Sequence, residues 1–187
     1  QCNYGIGLMI FRREQLIELS FKAMERGYTS IGRGVLQANS DNLKIKGYKV
    51  ESFAMTIDGI KAYADANMSL LSSEVRRDLF NPKRPIYTKT RDDMPAKYGI
   101  SAKTKGSLIA DGCIIEGTVK NSVLFRGVKV SKGAIIENCV LMEGTTVGRD
   151  SVLKNVITDR FVRITDNQQV DGKKEASKAY IEKNSVI

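Results

Sequence analysis

Val119-Lys120-Asn121-Ser122-Val123 recurs 17 residues later as Ile136-Glu137-Asn138-Cys139-Val140, and again as Leu153-Lys154-Asn155-Val156-Ile157. Val170-Asp171-Gly172 begins a fourth copy, and Val130, Val147 and Ile164 form a second apolar column at the same period. Upstream, a shorter coil joins at a period of 15, where Ser107 to Ile115 falls on Ser122 to Val130. A fixed period of this length marks a chain wound into stacked coils, each burying its apolar face only against its neighbours.

The columns between the apolar positions give the shape of a coil. Gly106, Asn121, Asn138, Asn155 and Gly172 form one, Gly133, Asp150 and Asn167 a second, and Gly112, Gly127 and Gly144 a third that Phe161 interrupts. Gly and Asn tolerate left-handed backbone angles, so these columns read as corners. They cut each coil into steps of six, six and five residues: three short strands and three turns, a triangular prism. Val119, Ile136, Leu153 and Val170 are expected to stack inside it, with small Ala134 and Ser151 in the tight interior beside a corner. Parallel strands are expected between residues 107 and 170, with Asn121, Asn138 and Asn155 stacked at positive φ. Phe125 and Met142 share a column that Asp159 ends, and they are the candidates for a subunit or inter-domain contact. The polar tail after Val170 is expected to cover one end, anchored by Tyr180-Ile181 and Val186-Ile187.

The first half reads as α/β. Tyr4 to Phe11 and Lys46 to Phe53 have the composition of strands. Arg12 to Arg26 reads as a helix stopped by Gly27. Asp58 is placed to cap a second helix, whose Ile60, Tyr63, Ala64, Met68 and Leu71 lie at helical spacing, and Ser73 starts a further turn. All three prolines, Pro82, Pro85 and Pro95, fall between Asn81 and Tyr98, an extended linker. The expected organisation is an α/β region over 1–80, a linker over 81–106, and the solenoid with its tail over 107–187. Gly5-Ile6-Gly7 and Gly32-Arg33-Gly34 are isolated pairs, far short of a phosphate-binding glycine loop.

Composition narrows the function classes. The 187 residues contain no histidine, which removes Ser-His-Asp and Cys-His catalysis and His-ligated zinc. Three cysteines, without C-x-x-C spacing, read as reduced thiols of a cytoplasmic protein. The net charge of +9 is scattered rather than clustered and comes with no Trp and no nucleic-acid-binding motif. It points away from nucleic acid and leaves a phosphorylated metabolite or an acidic subunit as partners. No apolar run approaches the length needed to span a bilayer. Gln1-Cys2-Asn3-Tyr4 is no signal peptide and lacks an initiator Met, so the chain is expected to be part of a longer one.

Three stretches carry a family resemblance. Asp58 to Leu71 (Asp-Gly-Ile-Lys-Ala-Tyr-Ala-Asp-Ala-Asn-Met-Ser-Leu-Leu) resembles a helix ending in A-Y-x-x-A-N-x-x-L, Met94-Pro95-Ala96-Lys97-Tyr98 resembles a P-P-A-K-F linker, and Ser107 to Val130 resembles an entry into a hexapeptide-repeat β-helix. All three belong to bacterial ADP-glucose pyrophosphorylase (glucose-1-phosphate adenylyltransferase). The chain is similar to the C-terminal half of that family, and closest to its GlgD-type regulatory subunit. The resemblance implies that the prism is a left-handed parallel β-helix, and that the first region is the C-terminal part of a nucleotidyltransferase-like domain. It implies a tetramer that makes ADP-glucose and pyrophosphate from ATP and glucose 1-phosphate, with Mg²⁺, for glycogen synthesis.

Against the family's pattern this chain departs at the catalytic positions. Ser30-Ile31-Gly32-Arg33-Gly34 stands where the family has D-F-G-K-D, and the metal-binding Asp of R-D-V-G-T falls on Thr56. Arg33 is the one candidate phosphate-binding residue. With those carboxylates replaced, the expected role is a non-catalytic regulatory subunit that holds no metal or cofactor of its own. Its partner would be a catalytic subunit, or further copies of itself, and a phosphorylated effector is a further expected ligand. The alternative is the C-terminal half of a catalytically competent glucose-1-phosphate adenylyltransferase, and an acyltransferase would lack its usual histidine base.

Overall fold

Strands of two or three residues follow one another from Lys97 onward, and every third one joins the same sheet. The structure, a computed structural model, describes residues 5–174 and 179–187. The first face of the prism holds β1 (Lys97–Tyr98), β4 (Ile114–Ile115), β7 (Lys129–Val130), β10 (Thr146–Val147) and β13 (Arg163–Ile164). The second holds β2 (Lys103–Lys105), β5 (Thr118–Lys120), β8 (Ile135–Glu137), β11 (Val152–Lys154) and β14 (Gln169–Asp171). The third holds β3 (Leu108–Ile109), β6 (Val123–Leu124), β9 (Val140–Leu141), β12 (Ile157–Thr158) and β15 (Tyr180–Ile181). All pairings are parallel, and Val119↔Ile136 and Ile136↔Leu153 reproduce the 17-residue register.

The interior is the one the period predicts. Val119, Ile136, Leu153 and Val170 are buried, as are Val130, Val147 and Ile164. Ala134 and Ser151 are fully buried too. Turn positions inside the prism need polar satisfaction, and small hydroxyls supply it. Ser122 Oγ donates to the Lys120 carbonyl at 2.6 Å and accepts from the Cys139 amide at 3.0 Å. Thr145 and Thr158 share a hydrogen bond at 3.0 Å. Among the described residues no buried side-chain nitrogen or oxygen is left without a partner, as a low-dielectric interior requires.

The corners hold with two amendments. Asn121, Asn138 and Asn155 have φ of 45°, 53° and 54°, and their amides bond to the coil before: Asn138 to Lys120 at 3.2 Å, Asn155 to Glu137 at 3.0 Å. Asp150, Asn167, Gly127, Gly133 and Gly144 are also left-handed. Gly172 is in this amide ladder, at 2.9 Å from the Lys154 carbonyl, but its φ is not positive. Here the chain leaves the 17-residue period, since Ile157 pairs with Tyr180 rather than with the residue 17 ahead. Phe161 does not interrupt its corner. It takes the left-handed conformation itself, at φ 59°, and Asn184 follows it at 61°.

The tail adds another coil instead of lying across the end. β15 stacks on β12, Val186 bridges to Arg163, and Ile187 packs against the core. Residues 175–178 of that tail lie outside the described residues.

The solenoid also begins earlier than the sequence division places it. β1 and β2 lie inside the span read as linker, because Lys97 and Lys103 pair with Ile114 and Thr118. Two further helices, α2 (Ile60–Ser69) and α3 (Ser73–Leu79), fall in the same compact unit, Met55–Ile187, rather than with the first 54 residues. Gly59, not Asp58, is the N-cap of α2, with no side-chain cap bond. Ser72 caps α3 by accepting from the Glu74 amide at 3.3 Å.

The other unit, Gln1–Ala54, contains α1 (Arg13–Glu25), a π-helical turn over Ile31–Leu36 and a 3₁₀ turn over Gln37–Asn39. Its buried cluster is Leu19, Ala23 and Val35, flanked by Phe11 and Leu43. The two expected strands do not form among its described residues, and Tyr4 lies outside them. A strand exists only by pairing, and Leu8 and Ile10 stay exposed at 83% and 101%.

Candidate functional site

The three faces of the prism are not alike. Along β7 and β13 of the first face one residue is exposed and the next buried, the alternation of a sheet with one wet side. On the third face both residues of β6, β9 and β12 are buried. Leu124 and Leu141 belong to the solenoid core, so alternation puts Val123, Val140 and Ile157 on the outer side. That outer side is covered. Helix α2 lies against β9, turning its half-buried Tyr63, Ala64 and Met68 inward while Lys61 and Asp65 pair with each other on the exposed side at 2.5 Å.

Helix and linker do not fill the third face completely. A groove of about 540 Å³ remains over its first coils, within the range of small-molecule sites. Leu108, Ile109, Val123, Leu124 and Phe125 line its apolar floor, with Asn67 and Leu70 from α2 and Thr88, Lys89 and Arg91 from the linker. Register sets the charges at one rim. The pairing Leu124↔Leu141 puts Arg126 beside Glu143 on successive coils. The linker closes on both: Arg91 pairs with Glu143 at 2.6 Å and Asp93 with Arg126 at 3.2 Å. Glu143 raises the pKa of the Arg91 guanidinium. Solvent screens each of these partly exposed pairs, so each is weak alone, but together they hold the linker at the corner and neutralise two of the rim's cations. Lys89 has no ion pair among the described residues. The groove is therefore an apolar slot with one uncompensated ammonium.

The remaining candidates fall elsewhere. Arg33 is exposed on the π-helical turn, while the adjoining Gly34 and Val35 are buried. A Cβ at Gly34 would collide with Tyr28, so that glycine serves packing. Ser30 and Thr56 are exposed hydroxyls, the first in Gln1–Ala54 and the second in Met55–Ile187. Phe125 and Met142 are half-buried at the corner beside the third face, and Phe125 lines the groove. Burial pushes the Cys113 thiol up and the Cys139 thiol up to about 12, so neither is a thiolate nucleophile at neutral pH. Among the described residues no three Cys, Asp or Glu side chains gather in a way that could hold a metal ion. Nor is any of their helices long and apolar enough to cross a membrane.

Arg91, Glu143 and the groove floor apart from Phe125 escaped the sequence reading. The signal was present in Val123-Leu124 and Val140-Leu141, doubly apolar pairs where the first face has Lys129-Val130 and Thr146-Val147. A strand apolar on both sides is a strand covered on both sides.

Comparison with known proteins agrees with this architecture. Residues 94–187 match the GlmU-like, C-terminal hexapeptide family. The glycogen biosynthesis protein GlgD of Bacillus subtilis (strain 168) is 40% identical over 175 residues, covering 94% of this chain and 51% of that protein. GlgD of Geobacillus stearothermophilus is 55% identical over 71 residues, 38% of this chain and 21% of that protein. The glucose-1-phosphate adenylyltransferase of Clostridioides difficile (strain 630) is 35% identical over 135 residues, 70% of this chain and 35% of that enzyme. The chain thus spans about half the length of the longest-matching of these relatives, and less of the others. It belongs to the GlmU-like C-terminal hexapeptide family, and within it is homologous to GlgD and the glucose-1-phosphate adenylyltransferases.

Proposed function

We propose that this chain is part of a non-catalytic, regulatory subunit of a glucose-1-phosphate adenylyltransferase in glycogen biosynthesis. The observation that carries the reading is the 40% identity to GlgD over 94% of the chain, joined to hydroxyls at Ser30 and Thr56 where the enzyme family places carboxylates. Phosphoryl transfer relies on Mg²⁺ held by carboxylate oxygens. Among the described residues no such carboxylate set gathers, and no chemical step is assigned to this chain.

On this reading Gln1–Ala54 is a portion of a nucleotidyltransferase-like domain and the solenoid is the domain that follows it in the chain, assembled in the cytoplasm with a catalytic partner. The groove's Arg91 and Arg126 are already neutralised, so a phosphorylated effector would meet Lys89 alone there. The test is ADP-glucose formation by the full-length protein, by its catalytic partner, and by the two together. Expected is no turnover by the former alone and altered turnover or effector response in the mixture. Turnover by the full-length protein alone, comparable to that of the catalytic subunit, would instead favour a competent adenylyltransferase, the reading that the 35% identity to the C. difficile enzyme supports.

A further inference from the structure

The outward positions of the first and second faces are unlike those of the third. On the first face Lys97, Lys129 and Arg163 point to solvent in one column with Ile114 and Thr146. On the second, Lys103 and Lys105 of β2 are exposed and Lys105 sits opposite Lys120 of β5. Adjacent strands are about 4.8 Å apart, so Lys105 and Lys120 are side-by-side cations with no acid between them. None of these six cations is in an ion pair among the described residues. The acids in the same outward columns are already engaged: Glu137 pairs with Lys154 at 3.3 Å, and Asp171 accepts from Asn155 at 2.9 Å. Like charges directly opposite on a sheet are destabilising, and nothing in the solenoid's packing requires them. A local cost without a local reason is the mark of a surface shaped for something else.

We propose that the first and second faces together dock into an acidic, concave protein surface. Resting on the subunit reading above, that surface belongs to the catalytic partner. Protein fits better than nucleic acid for two reasons. Tyr98, exposed at 52%, is the one aromatic on the strands of the two faces, a single ring at one end rather than a row on which successive bases could stack. Ile114 and Ile135 are exposed at 36% and 38% among the lysines, an apolar centre with a charged rim. Area sets the shape. A face of five strands is roughly 20 Å long and about as wide, or roughly 400 Å². A standard interface takes about 800 Å² from each partner. One flat face is too small, so the partner must close around the corner of Gly133, Asp150 and Asn167 that joins the two.

The test measures binding of the full-length protein to the catalytic glucose-1-phosphate adenylyltransferase of its own source, as a function of NaCl. Wild type should bind, with affinity falling as salt rises. The triple variant Lys103→Glu, Lys105→Glu, Lys120→Glu should bind about tenfold more weakly with a flatter salt dependence, while its thermal unfolding is unchanged. The control Lys44→Glu, Lys46→Glu, Lys49→Glu removes the same charge from exposed positions in Gln1–Ala54 and should leave affinity within about twofold. Equal weakening by both triples would reduce the effect to net charge and overturn the docking surface. So would an unaltered affinity in the first triple. Failure of the wild type to bind at any salt would overturn the subunit reading itself, and this proposal with it.

Discussion

Residues 97–187 and residues 5–54 differ less in composition than in where each strand finds its partner. In the solenoid each strand pairs with a strand of a neighbouring coil, and the inner ones with the coils before and after, supplied by the chain itself 15 or 17 residues away (23 at the last coil), so the apolar columns close on themselves. The first region has comparably apolar stretches, yet Ile6, Leu8 and Ile10 are exposed at 42%, 83% and 101%, and only Leu19, Ala23 and Val35 form its buried cluster. Helix α1 repeats the point: its Leu19 and Ala23 are buried while Ile17, Phe21 and Met24 remain exposed. A repeat carries its own neighbours, whereas a non-repeating α/β layer depends on elements far away in sequence. A relative such as B. subtilis GlgD is about twice as long as this chain, and the same stretches there have more chain to pack against.

The largest test of that contrast is a carboxylate placed in each region. Ile136→Asp puts an unpaired charge at the centre of the column Val119, Ile136, Leu153, where no water reaches it, and should cost the solenoid about 3–5 kcal/mol. Ile10→Asp changes an already exposed side chain and should shift solenoid unfolding by less than about 0.5 kcal/mol. Thermal unfolding followed by circular dichroism separates them. Cys139 gives an independent readout. Its thiol is fully buried with a pKa raised to about 12, so alkylation at pH 8 reports opening of the core, and Ile136→Asp should accelerate it. Equal effects from the two aspartates would mean the column is not the core.

The same contrast explains what could be read in the sequence. Val119, Ile136, Leu153 and the asparagine corners were legible because a period compares each residue with its own copies, and register follows from the spacing. The strands at Tyr4–Phe11 and Lys46–Phe53 were read from composition alone, which does not say whether a partner is present. The start of the solenoid was obscured because β1 and β2 are the first layer and have copies on one side only. Pro95 and Gly99 made them look like linker. The groove was missed for a related reason. Arg91 and Asp93 meet Glu143 and Arg126 across 52 and 33 residues, and no local pattern encodes such a meeting. Only the doubly apolar Val123-Leu124 and Val140-Leu141 pairs hinted that the third face is covered.

A second, smaller effect sharpens the comparison within the solenoid. Asn155 holds φ 54° and its side chain donates to Asp171 Oδ1 at 2.9 Å on the next coil. Asn155→Ala should cost about 1–2 kcal/mol through the left-handed backbone, with the lost hydrogen bond in addition. The Asn155 amide is the largest cause holding the Asp171 carboxyl below its ordinary range, followed by the Lys173 amide. A depressed carboxylate stabilises the fold above its unfolded pKa, and that contribution disappears as pH falls through the lower folded value. The gap between wild type and Asn155→Ala should therefore be full at pH 7 and narrow once the pH drops below the normal aspartate range. Denaturant unfolding at pH 7 and pH 3 measures this, and a gap that does not narrow would detach Asp171 from the corner.

The smallest expected effect has the opposite sign. Phe161 occupies a left-handed corner at φ 59°, where the neighbouring coils place Gly144 and Asn184. For a bulky residue this conformation is an outlier costing of order 1–3 kcal/mol. What the chain gains in return is limited, because the ring is 52% exposed. It lies over Gly144, where any Cβ would collide with it, so a partly buried ring covers a bare backbone turn and recovers only a fraction of a full aromatic burial. Phe161→Asn keeps the left-handed preference that Asn121, Asn138, Asn155 and Asn167 already satisfy at equivalent turns. It should raise stability by about 1 kcal/mol, the part of the strain not repaid by the ring. Phe161→Ala separates the terms: it keeps most of the strain, loses the cover over Gly144, and should destabilise. If Asn and Ala both destabilise to the same degree, the ring contributes more than its exposure indicates, and the corner is held by aromatic packing rather than by backbone preference.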